Sequence, residues 1–165
     1  MRSYRVYSSL PLTVDEQCHL DDRARHHLAR VLRVKAGDRL CVFNGDGNNY
    51  QGAIVSASKN KVSVLIDSME QADTESPLNT CLALGVSKGD RFEWAIKKAT
   101  ELGVSSIVPL LSQRVDVRLS PERWQKKQEH WQQIVISACE QSGRAVVPEV
   151  AAPTTLSQWL SDVEA

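Results

Sequence analysis

Three polar side chains gather near the end of a predicted long helix, in the stretch CEQSGRAVVPEV. Glu140 and Gln141 fall in the last helical turn, where the partial negative charge of the helix end disfavours a carboxylate. Arg144 follows just past Gly143, and a local salt bridge between Glu140 and Arg144 would relieve that repulsion. The alternative is a functional group of carboxylate, amide and guanidinium that holds a base or a phosphate by directional hydrogen bonds.

A second candidate is a basic segment between residues 23 and 39. It holds one acid, Asp38, and six basic residues: Arg23, Arg25, Arg30, Arg33, Lys35 and Arg39. Such density can neutralise several phosphates even though the whole chain has zero formal net charge. The alternative is a solvated helix face. His26 and His27 lie within the segment and could stack on bases or donate to phosphate, or could be ordinary surface histidines.

A third group of cations lies in the second half of the chain. Lys88 and Arg91 stand in VSKGDRFEW, where a predicted strand gives way to its helix, and ligands bind at the carboxyl ends of such strands. Arg114 follows the next predicted strand. Lys98 and Glu101 fit an exposed charged pair on the same helix. For each cation, a solvated surface residue is the competing interpretation.

Other motifs carry less chemistry. FNGDGNNY is followed by a strand and not by a helix, so its glycines predict a hairpin turn and not a phosphate loop. Trp124 and Trp131, seven residues apart among apolar neighbours, predict core positions. The four cysteines form no CxxC pair, which favours reduced thiols and no metal. The first residues lack a long apolar run, so we expect a cytoplasmic protein.

The two halves of the chain have different patterns. Up to about Met69 the chain predicts short strands in RVYSSL, DRLCVFNGDGNNYQGAIVSA and KVSVLIDSM, as in a small β-barrel. One helix interrupts these strands, with apolar residues at helical spacing and Gly37 as its stop. Its predicted inner face is Leu20, Ala24, His27 or Leu28, Val31 and Leu32.

The second half predicts a parallel βαβ unit after a polar linker, QADTESPLN. TCLALGV and SSIVPLL are its strands, and the helix between them ends at Gly103. The inner face of that helix is predicted to be Phe92, Ala95, Ile96, Ala99 and Leu102. A long helix follows from Ser120 as N-cap to Gly143, then a third strand in AVVPEV and an amphipathic helix in TTLSQWLSDVEA.

Several of these pieces together resemble one known family. They are HHLARVLRVKAGD, FNGDG, VSKGDRFEWAIKKATELGV, SQR, ERWQKK and ACEQSGRAVVPEV, in this order and spacing. The chain resembles the RsmE family, the ribosomal RNA small-subunit methyltransferases that modify N3 of one uridine in 16S RNA. The resemblance implies a fold of α/β plus β type: a PUA-like RNA-binding β-barrel over residues 1–72, then the N-terminal part of a SPOUT α/β methyltransferase domain over residues 73–165.

The resemblance also implies roles for particular residues. Arg144 would stabilise charge or anchor a phosphate, and Glu140 and Gln141 would orient it or touch the base. The remaining matched positions are implied to contact RNA: Arg2, Arg5, His27, Arg30, Arg33, Lys35, Lys88, Arg91 and Arg114. Lys98 and Glu101 also match the family. Its members act as homodimers whose trefoil knot binds S-adenosylmethionine, and their partner is 16S RNA of the small ribosomal subunit.

One departure from the family is large. The GPEGG loop and the LRxETA segment, which form the knot and hold the methyl donor, do not occur in this sequence. We therefore expect a C-terminally truncated family member that lacks the knot, binds no S-adenosylmethionine and is inactive by itself. The alternative function is a non-catalytic RNA-binding or assembly module.

Overall fold

The computed structural model describes residues 4–58, 61–111 and 119–163. The chain forms two compact units. The first unit comprises Met1–Glu75 together with Gly143–Val146, and the second comprises Ser76–Ser142 and Val147–Ala165. Four residues that follow the longest helix are therefore built into a unit whose other members lie at the start of the chain.

The first unit contains a five-stranded sheet. Its strands are β1 (Tyr4–Tyr7), β2 (Gln17–His19), β3 (Arg39–Phe43), β4 (Asn48–Ala57) and β5 (Val62–Gln71), and their order is β1-β3-β4-β5-β2. β1 pairs with β3 in parallel, and the other three pairings are antiparallel. β3 and β4 form the predicted hairpin, because Gly45 and Gly47 take positive φ angles of 96° and 89° in the turn.

The core of the first unit follows the two-residue period of its strands. Val62, Val64 and Ile66 of β5 are almost completely buried, and they pack with Val42 of β3 and Ile54 of β4. β-Branched side chains fit the pleated surface well, and their burial supplies most of the stabilisation of this sheet. Strands β3, β4 and β5 confirm the predicted runs. β2 was missed, because its three residues carry no alternating pattern of their own.

The predicted helix before β3 differs from expectation. It begins as α1 (Asp22–His26) and continues as a π-helical segment, His27–Leu32, which ends at Arg33 with φ +52°. The wider π-helical turn rotates Val31 outwards, so that its side chain is 62% exposed while Leu28 is fully buried. The predictions that Val31 faces the core and that Gly37 ends the helix are therefore wrong, because both assumed a regular α-helical period.

The second unit is built around a parallel sheet. β6 (Cys81–Gly85) pairs with β7 (Ser106–Leu111) over five residues, with α2 (Arg91–Glu101) between them in sequence. This is the predicted βαβ unit. Asp90 precedes α2, and Gly103 ends it with φ +97°. Phe92 and Ile96 are buried as predicted, but Leu102 is 84% exposed. Leu102 lies one residue beyond the helix and has left its inner face.

The long helix is α3 (Pro121–Ser142), which begins after Ser120 and stops at Gly143, as predicted. Its Trp131 is 2% exposed and lies against the ring of Phe92, with 4.7 Å between ring centroids. The ring centroid of Trp124 lies 6.5 Å from that of Trp131. Both tryptophans therefore belong to the core of the second unit, as their spacing predicted.

The stretch after α3 is less regular than predicted. AVVPEV forms a strand only at β8 (Glu149–Val150), because Ala145 and Val146 belong to the first unit and Pro148 has no amide to donate. A short strand that was not predicted, β9 (Thr154–Thr155), pairs with β7 beyond β8. The predicted last helix is α4 (Leu156–Val163), which has no fully buried residue.

Candidate functional site

The basic segment of the first unit presents an exposed cationic face. Arg30 lies on the π-helical segment, Arg33 ends it and Lys35 follows in the loop, and all three side chains are exposed. Among the residues that the structure describes, no ion pair involves them. His27 is half-buried on the same segment. This face can meet polyanions without first breaking an internal pair, which is the property that phosphate binding needs.

Two other arginines of the segment are already paired. Arg25 contacts Asp22 one helical turn away at 2.9 Å, and Arg39 forms a two-point contact with Asp67 on β5. The Arg39 guanidinium lowers the pKa of the Asp67 carboxyl. These exposed pairs contribute little stability, but they reduce the free positive charge of the segment. Arg30, Arg33 and Lys35 are therefore the exposed cations of the segment that no ion pair among the described residues offsets.

The residue that precedes α1 fixes the start of the basic segment to the loop that follows β1. Asp21 accepts hydrogen bonds from the Ala24 amide (2.8 Å), the Ser9 amide (2.7 Å) and the Ser9 hydroxyl (3.0 Å). Burial alone would raise the pKa of Asp21, but these hydrogen bonds and the Arg23 charge hold it below its ordinary value. Asp21 is thus an ionised N-cap that anchors the helix.

Arg5 lies on β1 and makes contacts that the sequence did not indicate. Its guanidinium stacks on the ring of Phe43, 4.2 Å from the centroid, and donates to Asn49 Oδ1 at 2.5 Å and Cys41 Sγ at 3.1 Å. Its other terminal nitrogen donates to the backbone carbonyls of Gly143 (3.0 Å) and Arg144 (2.8 Å). Burial raises the pKa of the Cys41 thiol more than Arg5 lowers it, so that acceptor stays neutral.

Arg144 lies in the first unit and is only 4% exposed. Its Nε lies 3.1 and 3.2 Å from the two carboxylate oxygens of Glu75, and a terminal nitrogen donates to the same carboxylate at 2.6 Å. A paired, two-point contact of this kind fixes the plane of the guanidinium. Glu75 is a functional candidate that the sequence analysis missed, since it stands in a polar linker with no periodic pattern.

Glu140 and Gln141 lie in the last turn of α3, in the second unit. Gln141 is exposed and lines an open groove of about 570 Å³. His130 Nε2 lies 3.0 Å from Glu93 Oε1 at this groove. The groove offers an aromatic face, amides and charges of both signs. Its other lining residues are Asp90, Trp94, Lys97, Gln133, Ile134 and Ser137.

The remaining predicted cations of the second unit lie around α2. Lys88 and Arg91 are exposed, in the loop after β6 and at the first position of the helix. Lys98 and Glu101 form the predicted pair at 2.7 Å. Arg2 and Arg114 fall outside the described residues. The structure therefore places Lys88 and Arg91 at the carboxyl end of a parallel strand, as their sequence context indicated.

The described residues include neither a candidate metal site nor a helix that could span a membrane. Over residues 4–58, 61–111 and 119–163, no three His, Cys, Asp or Glu side chains are grouped so that they could hold a metal ion. Within the same ranges, no helix is long and apolar enough to cross a membrane. The four cysteines are free thiols.

Known protein families match both parts of the chain. Residues 74–165 match the RNA methyltransferase domain, and residues 20–67 match the RNA methyltransferase PUA domain. Ribosomal RNA small subunit methyltransferase E of Bacillus subtilis is 35% identical over 139 residues, which are 84% of this chain and 54% of that protein. The Synechocystis protein of the same name is 35% identical over 161 residues, 98% of this chain and 51% of that protein.

Solved structures agree with these matches. A Legionella pneumophila protein solved with the cofactor S-adenosylmethionine superposes with a TM-score of 0.93 at 36% identity, covering 98% of this chain and 67% of that one. Ribosomal RNA small subunit methyltransferase E from Neisseria gonorrhoeae, bound to S-adenosyl methionine, gives a TM-score of 0.87 at 36% identity, covering 96% and 65%. The present chain spans about half the length of the two curated relatives from Bacillus and Synechocystis.

Proposed function

The chain belongs to the family of ribosomal RNA small subunit methyltransferase E. On that premise we propose that the activity of the whole protein is methylation of uridine N3 in 16S RNA. The observation that carries the proposal is the match of residues 74–165 to the RNA methyltransferase domain. The proposed substrate is the small ribosomal subunit or its RNA, and a ribosomal substrate implies a cytoplasmic location. The proposed architecture of residues 1–165 is a PUA-like barrel followed by the N-terminal part of a SPOUT domain without its knot region.

The first unit is proposed to bind RNA through its exposed cationic face. Arg30, Arg33 and Lys35 supply charge that is free of internal ion pairs among the described residues, and His27 adjoins them on the same segment. Lys88 and Arg91 are proposed as further phosphate contacts on the second unit. Arg2 and Arg114 keep the role that the family resemblance implies, as proposals from sequence alone.

RNA binding is tested by the salt dependence of affinity for unmodified 16S RNA. Log K falls as log salt rises, and removal of one phosphate contact makes this negative slope shallower, lowering its magnitude by about 0.7 to 0.9. We expect Arg30→Gln, Arg33→Gln and Lys35→Gln each to lower the slope by about that amount. The matched control is Lys61→Gln, which removes one exposed charge from the turn between β4 and β5 of the same unit. Equal slopes for all four variants would contradict the proposal.

The catalytic step requires stabilisation of the negative charge that develops on the uracil base. The uracil imide is a weak acid, so the loss of its N3 proton requires a base or a cation that stabilises the anion. We propose Glu140, Gln141 and Arg144 for this group. The exposure of Gln141 at a groove favours direct contact with substrate, whereas the burial of Arg144 against Glu75 favours a role in orienting the group.

We propose that the residues present do not by themselves form a site for the methyl donor. The groove of about 570 Å³ in the second unit is lined by residues of α2 and α3 and by Asp90, and no strand residue contributes to it. The family motifs that hold the donor are also missing from the sequence. We therefore propose that residues 1–165 bind no S-adenosylmethionine and are inactive alone. Calorimetry that detects micromolar binding of S-adenosylmethionine to this chain would contradict this proposal.

One assay distinguishes an RNA methyltransferase from the alternative of a non-catalytic RNA-binding module. Transfer of a labelled methyl group to unmodified small subunits is expected from a longer protein that carries the GPEGG and LRxETA motifs, and not from residues 1–165. If the longer protein binds RNA but transfers no methyl group, the alternative of a non-catalytic RNA-binding module is favoured. Arg144→Ala in that longer protein is expected to lower the rate. We also propose that the longer protein is a homodimer, as the family resemblance implies, and its sedimentation tests this.

A further inference from the structure

Arg5 is predicted from its family position to contact RNA, yet in the structure its guanidinium is already occupied. One face stacks on Phe43, and its two terminal nitrogens donate to four protein acceptors. Its Nε is buried and has no hydrogen-bond partner among the described residues. A phosphate that bound Arg5 through two donors would have to displace an existing acceptor. This geometry is that of an internal clamp and not of a free cation.

The object that Arg5 holds is the segment Gly143–Val146. Two of its four acceptors are the carbonyls of Gly143 and Arg144, which lie 138 and 139 residues away in sequence. Gly143 takes φ +88°, a left-handed conformation that glycine adopts without strain. The carbonyl of Gly143 also accepts from the Thr74 hydroxyl at 3.4 Å. Carbonyls that follow a helix end need such partners when they are removed from water.

Other residues of the first unit hold the rest of the segment. The Gly47 amide donates to the Ala145 carbonyl at 3.4 Å, and Ala145 is fully buried. Glu75 holds the Arg144 side chain by a two-point contact through Nε and a terminal nitrogen. The backbone and the one charged side chain of the segment are thus both bound, the backbone chiefly by Arg5 and the side chain by Glu75.

We propose that Arg5 and Glu75 are positioning residues that fix Gly143–Val146, and that Arg5 does not contact RNA. The link from this clamp to catalysis rests on the proposed function, because it passes through Arg144. Lysine would not replace Arg5. Its compact ammonium cannot stack on Phe43 and at the same time reach Asn49 and the two carbonyls that the planar fork spans.

The clamp is tested by hydrogen exchange on residues 1–165. In Arg5→Lys and Glu75→Gln, we expect peptides that contain residues 143–147 to exchange about tenfold faster or more, because these variants remove charge-assisted hydrogen bonds. Peptides from β4 and β5 should keep wild-type protection, which shows that the sheet is still folded. The matched control is Arg25→Lys, which alters a half-buried arginine of the same unit that pairs with Asp22 and should change neither region.

The proposal that Arg5 does not contact RNA is tested by the salt dependence of RNA affinity. Arg5→Gln removes one charge and is expected to leave the slope of log K against log salt unchanged, whereas Arg30→Gln lowers it. Arg5→Lys, which keeps the charge, should give the same slope and faster exchange at residues 143–147. A lower slope for Arg5→Gln, or wild-type exchange in Arg5→Lys, would overturn the inference. If the wild-type chain shows no salt-dependent RNA binding, the proposed function fails while exchange still decides the clamp.

Discussion

The two units differ in how far apart along the chain their contacts lie. In the second unit, β6, α2 and β7 follow one another, and β6 pairs with β7 directly. In the first unit, β1 pairs with β3 across a helix, β2 lies at the far edge beside β5, and Gly143–Val146 joins from much later in the chain. Local patterns therefore predict the βαβ part of the second unit well, and they predict the first unit only where neighbouring strands form hairpins.

Intrinsic chromophores allow this comparison to be tested one unit at a time. All four tryptophans, at positions 94, 124, 131 and 159, belong to the second unit, and all three tyrosines, at 4, 7 and 50, belong to the first. Tryptophan fluorescence therefore reports the second unit, and tyrosine absorbance the first. Each substitution below is directed at one of the two units.

The largest expected effect is in the core of the second unit. Trp131→Ala removes the side chain that packs on Phe92 and Trp124, and it should lower the free energy of unfolding by about 3–5 kcal/mol. Trp94→Ala is the matched control, because Trp94 is 65% exposed and should cost about 0.5 kcal/mol or less. Urea denaturation followed by fluorescence measures both. Equal losses would contradict the assigned core.

The next effect tests the π-helical segment of the first unit. Leu28→Ala empties a fully buried position and should cost about 2–5 kcal/mol, whereas Val31→Ala should cost about 0.5 kcal/mol or less. A regular α-helix would bury both residues and make both substitutions expensive. Denaturation followed by tyrosine absorbance separates the two cases, and a large loss for Val31→Ala would restore the regular helix.

A smaller loss of stability is expected from substitution of a glycine in the first sheet, and a glycine in the second sheet is its control. A Cβ at Gly52 would lie 2.5 Å from the Leu65 carbonyl oxygen, so Gly52→Ala should cost about 1–3 kcal/mol through overpacking. Gly85, at the end of β6, has no atom within 4 Å of the same position and no positive φ. Gly85→Ala should change stability by less than about 0.5 kcal/mol. A neutral Gly52→Ala would show that β4 and β5 separate easily.

The smallest effect depends on pH. The pKa of Asp21 in the folded protein lies below its ordinary value of 3.8, so its charge stabilises the fold above that value and the stabilisation is lost as pH falls through the folded pKa. Asp21→Ala should therefore cost about 1 kcal/mol at pH 7, and this cost should shrink as the pH falls below 3.8. A pH-independent cost would contradict the ionised cap.

Particular residues show what could be predicted and why. Phe92, Ile96 and Trp131 were placed in the core by helical periodicity, because each helix there packs one face on a neighbouring element. The same periodicity wrongly placed Leu102 and Val31 in the core, because each residue lies where the regular α-helical turn has ended. Glu75 was not predicted at all. It is a polar residue in a linker, and only its contact with Arg144 gives it a role.

The sequence by itself determined strands β3, β4 and β5, the βαβ order, the glycine stops of α2 and α3, and the family. These depend on residues close together in the chain, whose spacing records which face must be buried. Only the tertiary structure decided that Arg5 and Glu75 bind Gly143–Val146, and that Arg144 is buried with a partner 69 residues earlier. Such contacts join distant polar residues, and a polar residue's type does not record which partner will satisfy it once it leaves water.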